Sequence, residues 1–114
     1  MRDYTLFMQD IVLAINSIEL FIEGMEFVTF AADDRTFSAV VRKLEIIGEA
    51  VKQLPDEFTL QYPEIPWKQV AGMRDKLIHA YFGVDPNLVW QTVKNRLPEL
   101  RDVLQAKLSR EVSL

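Results

Sequence analysis

The sequence predicts an all-α fold, a four- to five-helix up-down bundle. Three observations carry that expectation. Apolar residues recur at helical spacing along nearly the whole chain. Prolines and acidic capping residues punctuate the pattern. No alternating apolar-polar stretch competes as a strand. The 114 residues are 49% hydrophobic and 26% charged, enough apolar material for one closed core. No repeat, low-complexity tract or linker divides them, so residues 1–114 read as a single helical domain.

In the first helix Phe7, Ile11, Ala14, Ile15, Ile18, Ile22 and Met25 form one stripe. Leu6, Leu13 and Leu20, seven apart, form a second row round the helix from the first. Two apolar seams fit a central helix of the bundle, or a helix whose second seam meets another subunit. From Glu26 to Asp34 the period is lost, although Phe27, Val28 and Phe30 are apolar. Asp33 and Asp34 are placed to cap a second helix. Its face is Phe37, Val40, Val41, Leu44, Ile47, Gly48, Val51 and Leu54. Gly48 costs that helix about 1 kcal/mol against alanine, which suggests that another backbone comes close there. Pro55 ends the helix.

Residues 55–65 read as a loop with at most one helical turn. Pro66 suits the first turn of a third long helix and Gly83 its end. Asp85-Pro86 opens a fourth, with Val89, Val93, Leu97, Leu100 and Leu104 on its core face. Pro98 removes a hydrogen bond and should bend or split this helix. Beyond Lys107 the tail is expected to fray.

Composition narrows the function. There is no cysteine and one histidine, so no disulfide frame, no thiolate zinc site and no tight transition-metal site within one chain is expected. The longest aliphatic run, Ile11 to Ile15, is too short to span a bilayer. The N-terminus lacks the pattern of a signal peptide, and a cytoplasmic location is expected. The net charge is −4, unlike a protein that grips long duplexes through their phosphates. DNA is therefore not an expected partner. A short single strand or a nucleotide in a local basic cleft is compatible.

The stretch Met73 to Gly83 holds the lone histidine, His79. Trp67, Val70, Ala71, Arg74, Leu77, Ile78 and Tyr81 follow one helix face, and Arg74 is its one charge. A guanidinium on an apolar face needs a partner. Glu45 and Glu49, at the edge of the second helix's stripe, are both candidates. Chemically, an arginine can hold a phosphate or a phosphorane, and a histidine can move protons near neutral pH. Together they suffice for attack of a ribose 2′-hydroxyl on the adjacent phosphate. That cleavage needs both a base and an acid, and one chain offers one histidine. A two-fold dimer would supply two. Arg74 and His79 are five apart and point about 140° from each other on a regular helix. Asp75, four before His79, can hydrogen-bond and orient the ring. Lys76 and Lys43 are further candidates for phosphate contact. Structural readings stand beside these. Arg74 could be an internal ion pair in a dimerisation module, and Tyr81 a core aromatic with its hydroxyl at the rim.

The segment Arg74-Asp75-Lys76-Leu77-Ile78-His79-Ala80-Tyr81 resembles the Arg-x4-His-x-Tyr signature of HepT-like toxins of the HEPN superfamily. Ile46-Ile47-Gly48-Glu49-Ala50 looks like that family's second helix, and Tyr62-Pro63-Glu64-Ile65-Pro66-Trp67 like its lead into the motif helix. Phe82-Gly83-Val84-Asp85 and Val89-Trp90 look like the family's continuation after that helix. The resemblance covers roughly residues 3–105 and implies a HEPN-like bundle that forms a homodimer with the motifs at its interface. It implies a metal-independent endoribonuclease with Arg74 and His79 as catalytic pair and Asp75, Glu49 and Lys76 in support. The implied context is a toxin–antitoxin system. Its antitoxin resembles a minimal nucleotidyltransferase that transfers AMP to the motif tyrosine, here Tyr81. The alternative is a non-catalytic nucleotide- or partner-binding subunit of a nucleotidyltransferase complex, which the negative net charge favours slightly.

Overall fold

Seven helical segments form the described part of the chain: α1 (Thr5–Phe21), α2 (Phe27–Ala32), α3 (Asp34–Lys52), α4 (Asp56–Thr59), α5 (Trp67–His79), α6 (Pro86–Asn95) and α7 (Leu97–Val112). The computed structural model describes residues 4–79 and 85–112, without the side chains of residues 77–79, 111 and 112. The all-α expectation holds, and the expected long helices are α1, α3, α5 and the α6–α7 pair. The long helices pack in the order α7–α1–α3–α5, and α6 closes against α7 and α2. No described helix is long and apolar enough to cross a membrane.

The core follows the periodic stripes. Ile11, Ile15 and Ile18 of α1 are fully buried, as are Val40 and Ile47 of α3 and Leu104 of α7. Helix α1 ends earlier than its apolar stripe. Gly24 takes φ +78°, a left-handed conformation that L side chains rarely adopt, and turns the chain toward α2. Ile22 stays buried just beyond the helix end, so the stripe outlasts the helix.

Asp33 caps α3. The Thr36 N–H donates to its Oδ1 at 3.0 Å and the Thr36 hydroxyl donates to its Oδ2 at 2.9 Å. Asp34 falls in the first turn, where its charge suits the helix dipole. At α6 the Asn87 N–H donates to Asp85 Oδ1 at 2.9 Å and Pro86 occupies the first turn. Pro66 lies just before α5 and gives its carbonyl to the Val70 N–H at 3.0 Å.

Two elements differ from the sequence expectation, and the expected break in the fourth helix is observed. The irregular stretch before Asp33 is a helix, α2, because Phe30 is wholly buried there. Its ring lies 5.7 Å from that of Phe37 and 5.0 Å from that of Trp90. Distant aromatics hold that helix, and no local period shows them. The fourth helix is split, and the break falls at Arg96, two residues ahead of Pro98. Pro98 lies in the first turn of α7, where its missing N–H leaves no intrahelical bond unmade. Finally, α7 continues past Lys107 to Val112. Leu108 is buried, and the Arg110 guanidinium donates to the Tyr62 hydroxyl at 3.0 Å, so this end is tied to the α4–α5 loop. The expected stop at Gly83 lies outside the described residues.

The two hydrogen bonds from Thr36 hold the Asp33 carboxyl below its ordinary 3.8. A lowered folded value means that its contribution is fully present above the unfolded range. It is lost as pH falls through the folded value. Asp33→Ala is expected to lower the thermal midpoint at pH 7, and the gap from wild type should close as pH drops below 3.8. Circular dichroism melts across that range check this.

Candidate functional site

The site is built on the seam between α3 and α5. At Gly48 the two helices come unusually close. A Cβ there would lie 3.1 Å from both the Arg74 amide nitrogen and the Val70 carbonyl oxygen, and 3.2 Å from the Arg74 Cβ. The glycine is therefore required by a passing backbone, as its place on the α3 face suggests. The entry to α5 is fixed as well. The Trp67 indole N–H donates to the Tyr62 carbonyl at 3.0 Å, and its ring stands edge-on to Phe58 at 6.0 Å. Ile65, between Tyr62 and Trp67 in sequence, is buried.

This approach brings Glu49, the next residue of α3, to the arginine of α5. Glu49 Oε2 lies 3.0 Å from Arg74 Nε. Of the two candidate carboxylates, Glu49 is thus the partner. Glu45 pairs with Arg42 on its own helix at 3.3 Å. Asp75 joins from the other side, with Oδ1 3.4 Å from Arg74 Nη1 and Oδ2 3.5 Å from Lys52 Nζ. The result is a chain of alternating charges, Glu49–Arg74–Asp75–Lys52, along one seam.

Arg74 is less buried than a charge on an apolar face suggests, with 40% of its side chain exposed. Its two carboxylate partners are about half exposed. The guanidinium is oriented by its neighbours and still reachable from solvent. With Glu49 on Nε and Asp75 on Nη1, an incoming phosphate would meet the guanidinium through Nη2, or at both Nη atoms by displacing Asp75. Among the described atoms, then, Asp75 serves Arg74 and Lys52. The His79 backbone continues α5, about 7.5 Å along the axis from Arg74. The side chain of His79 and all of Tyr81 lie outside the described residues, so the expected Asp75–His79 contact does too. Lys76 is exposed and Lys43 half-buried. Among the described residues no three acidic, cysteine or histidine side chains gather as a metal site requires.

Sequence reading missed Lys52. Its signal is present in retrospect. Glu49 and Lys52 are one helical turn apart on α3 and present charges opposite to those of Arg74 and Asp75, neighbours on α5. Neither pair reads as a site until the two helices are known to touch.

Comparison with known proteins adds the family. A family model described as Ribonuclease HepT-like matches residues 11–106. The chain belongs to that family. Among relatives of this HepT-like chain, a protein named probable ribonuclease HepT of Thermococcus cleftensis is 50% identical over 100 residues, 88% of this chain and 91% of that protein. A candidate RNase of Caldanaerobacter subterraneus subsp. tengcongensis is 48% identical over 90 residues, 79% of this chain and 80% of that one. One from Methanocaldococcus jannaschii is 48% identical over 100 residues, 88% and 83% of the two chains. No solved structure gives a significant match.

Two stability outcomes are expected for this HepT-like chain. The Arg74–Glu49 pair is well solvated, so Arg74→Met and Glu49→Gln should each change unfolding free energy by less than about 1 kcal/mol. Gly48→Val instead drives a branched side chain into the α5 backbone and should cost about 1–3 kcal/mol. Urea denaturation of the three variants beside wild type reads both.

Proposed function

We propose that this chain is a metal-independent endoribonuclease that works as a pair of identical copies. In this reading it is the toxin of a two-gene toxin–antitoxin system. One observation carries the reading: a guanidinium on the motif helix, held by Glu49 at Nε and Asp75 at Nη1, with 40% of its side chain still exposed to solvent. Membership of a family described as ribonuclease HepT-like, and relatives named for RNase activity, support RNA as the substrate.

The chemistry uses the ribose itself as nucleophile. One His79 takes the proton from the 2′-hydroxyl as that oxygen attacks the adjacent phosphorus. Arg74 holds the charge that grows on the non-bridging oxygens. The 5′-oxygen of the next nucleotide leaves with a proton from an acid, the His79 of the second copy. The products are a 2′,3′-cyclic phosphate and a 5′-hydroxyl. Each chain carries a single histidine, so acid and base together call for two copies. Glu49 and Asp75 act through Arg74, as positioning residues. Lys76 is available to neighbouring phosphates.

Control by the partner fits the same pocket. A minimal nucleotidyltransferase would join AMP from ATP to the Tyr81 oxygen, releasing pyrophosphate. Phosphate on a residue two positions from His79 places negative charge where RNA phosphate must lie. The rival reading, a nucleotide- or partner-binding subunit without chemistry, draws on the net charge of −4.

The deciding assay is cleavage of a single-stranded RNA by unmodified protein in chelator. Wild type should cut and leave a 2′,3′-cyclic end. Arg74→Ala and His79→Ala should each lose at least about 100-fold while keeping the wild-type melt. Intact RNA with wild type, or variants that cut as well as it does, would overturn the nuclease and favour the binding subunit. Intact mass of protein made with and without its neighbouring gene product tests AMP transfer, and Tyr81→Phe should abolish any adduct.

A further inference from the structure

Lys52 stands on the α3–α5 seam and takes no part in the chemistry drawn from Arg74 and His79. The two cations of the seam are not held alike. Arg74 meets two carboxylates, Glu49 at 3.0 Å and Asp75 at 3.4 Å. Among the described residues Lys52 meets one, Asp75 at 3.5 Å, and shares it with Arg74. That contact is longer than the roughly 2.7–2.9 Å of a tight charge-assisted bond. An ammonium carries three N–H donors, so one loose contact leaves donors for another anion. The Lys52 side chain is 35% exposed. A structural reason for a cation here exists, because Lys52 lies in the last turn of α3, where its charge suits the helix dipole. That reason accounts for a lysine at the helix end and not for its aim across the seam.

Asp75 sets the spacing of the two cations. Its Oδ1 faces Arg74 Nη1 and its Oδ2 faces Lys52 Nζ, so one carboxylate fills the space between them. While it stays there, each cation keeps an outer side for an anion of its own. A single RNA strand offers anions in series, one phosphate per nucleotide. The other lysines considered for phosphate contact stand elsewhere. Lys43 is about 13.5 Å from Lys52 along α3, and Lys76 lies about 160° round α5 from Arg74. Lys52 is the lysine on the seam itself.

We propose that Lys52 binds the phosphate next to the scissile one, so that the strand lies along the α3–α5 seam with consecutive phosphates on Arg74 and Lys52. This rests on the nuclease reading, which puts the scissile phosphate at Arg74. Asp75 holds the two cations apart and keeps Lys52 off the phosphate of Arg74. Lys52 contributes affinity and the register of the strand, and moves no proton.

Binding tests this apart from cleavage. The probe is a short single-stranded RNA of mixed sequence with every ribose 2′-O-methylated, which removes the attacking hydroxyl. Its affinity for the full chain is measured against salt, where each phosphate contact on a single strand adds about 0.7 to the slope of log K on log salt. Lys52→Gln should lower that slope by at least about 0.7, and Lys52→Arg should keep it. The double variant with Arg74→Ala should lose the sum of the two single losses, because separate phosphates are released. Lys94→Gln, on α6, which packs against α7 and α2 and away from the seam, removes the same charge and should leave the slope unchanged. The melts should match wild type, since only exposed pairs are lost. A wild-type slope for Lys52→Gln, or an equal fall for Lys94→Gln, overturns the proposal. A double variant that loses no more than Arg74→Ala alone overturns it as well, since both cations would then hold one phosphate. If wild type binds the methylated strand and leaves unmethylated RNA intact, the nuclease reading falls, and the slopes still decide whether Lys52 holds a phosphate beside that of Arg74.

Discussion

The site depends on how closely α5 can lie against α3. Gly48 sets that distance, because any side chain at this position would meet the backbone of Arg74 and Val70. The helix gives up about 1 kcal/mol of propensity for it. In return, Glu49 reaches Arg74 Nε at 3.0 Å, and Lys52, one turn on, reaches Asp75. Widening the seam by the size of one methyl group would leave these side chains stretched across water, where exposed pairs contribute little. The same contact that closes the core therefore aims the guanidinium.

Much of this was legible in the sequence, for particular reasons. Asp33 and Asp85-Pro86 announce helix starts through chemistry confined to three or four residues. Gly48 stands out because a glycine in a clean apolar stripe is unfavourable without a reason. Arg74 stands out because charge on such a stripe needs a partner, and both candidate partners were visible on the second helix. Choosing Glu49 over Glu45 required the actual seam. The parts that escaped depend on distant contacts. Helix α2 exists because Phe30 meets Phe37 and Trp90, the latter far along the chain. Helix α7 persists because Leu108 finds the core and Arg110 finds Tyr62. The stripe of α1 ran past the true helix end, since a buried Ile22 looks the same in sequence whether the backbone coils or turns at Gly24. The leucine row left two readings open, and its exposure decides that it is no part of this chain's own core.

An acidic protein that acts on RNA has to concentrate its cations. Here Arg74 is tethered by Glu49 and Asp75 and Lys52 by the same Asp75, carboxylates that hold both cations and would compete with substrate phosphate. Such tethering limits loose binding to any polyanion. It also fits the proposed pocket shared by two copies, because binding would then require a shaped cleft and not a basic surface. In that proposal, charge added at the cleft would close it to RNA phosphate.

The proposed phosphate chemistry at this seam requires that Glu49 hold Arg74 in one orientation. The most direct measurement is the single-turnover rate of RNA cleavage by Glu49→Gln at saturating enzyme, beside wild type. We predict a fall of roughly 10- to 100-fold with an unchanged unfolding midpoint, because a misaimed guanidinium weakens the transition state more than the fold. A rate equal to that of wild type would contradict it.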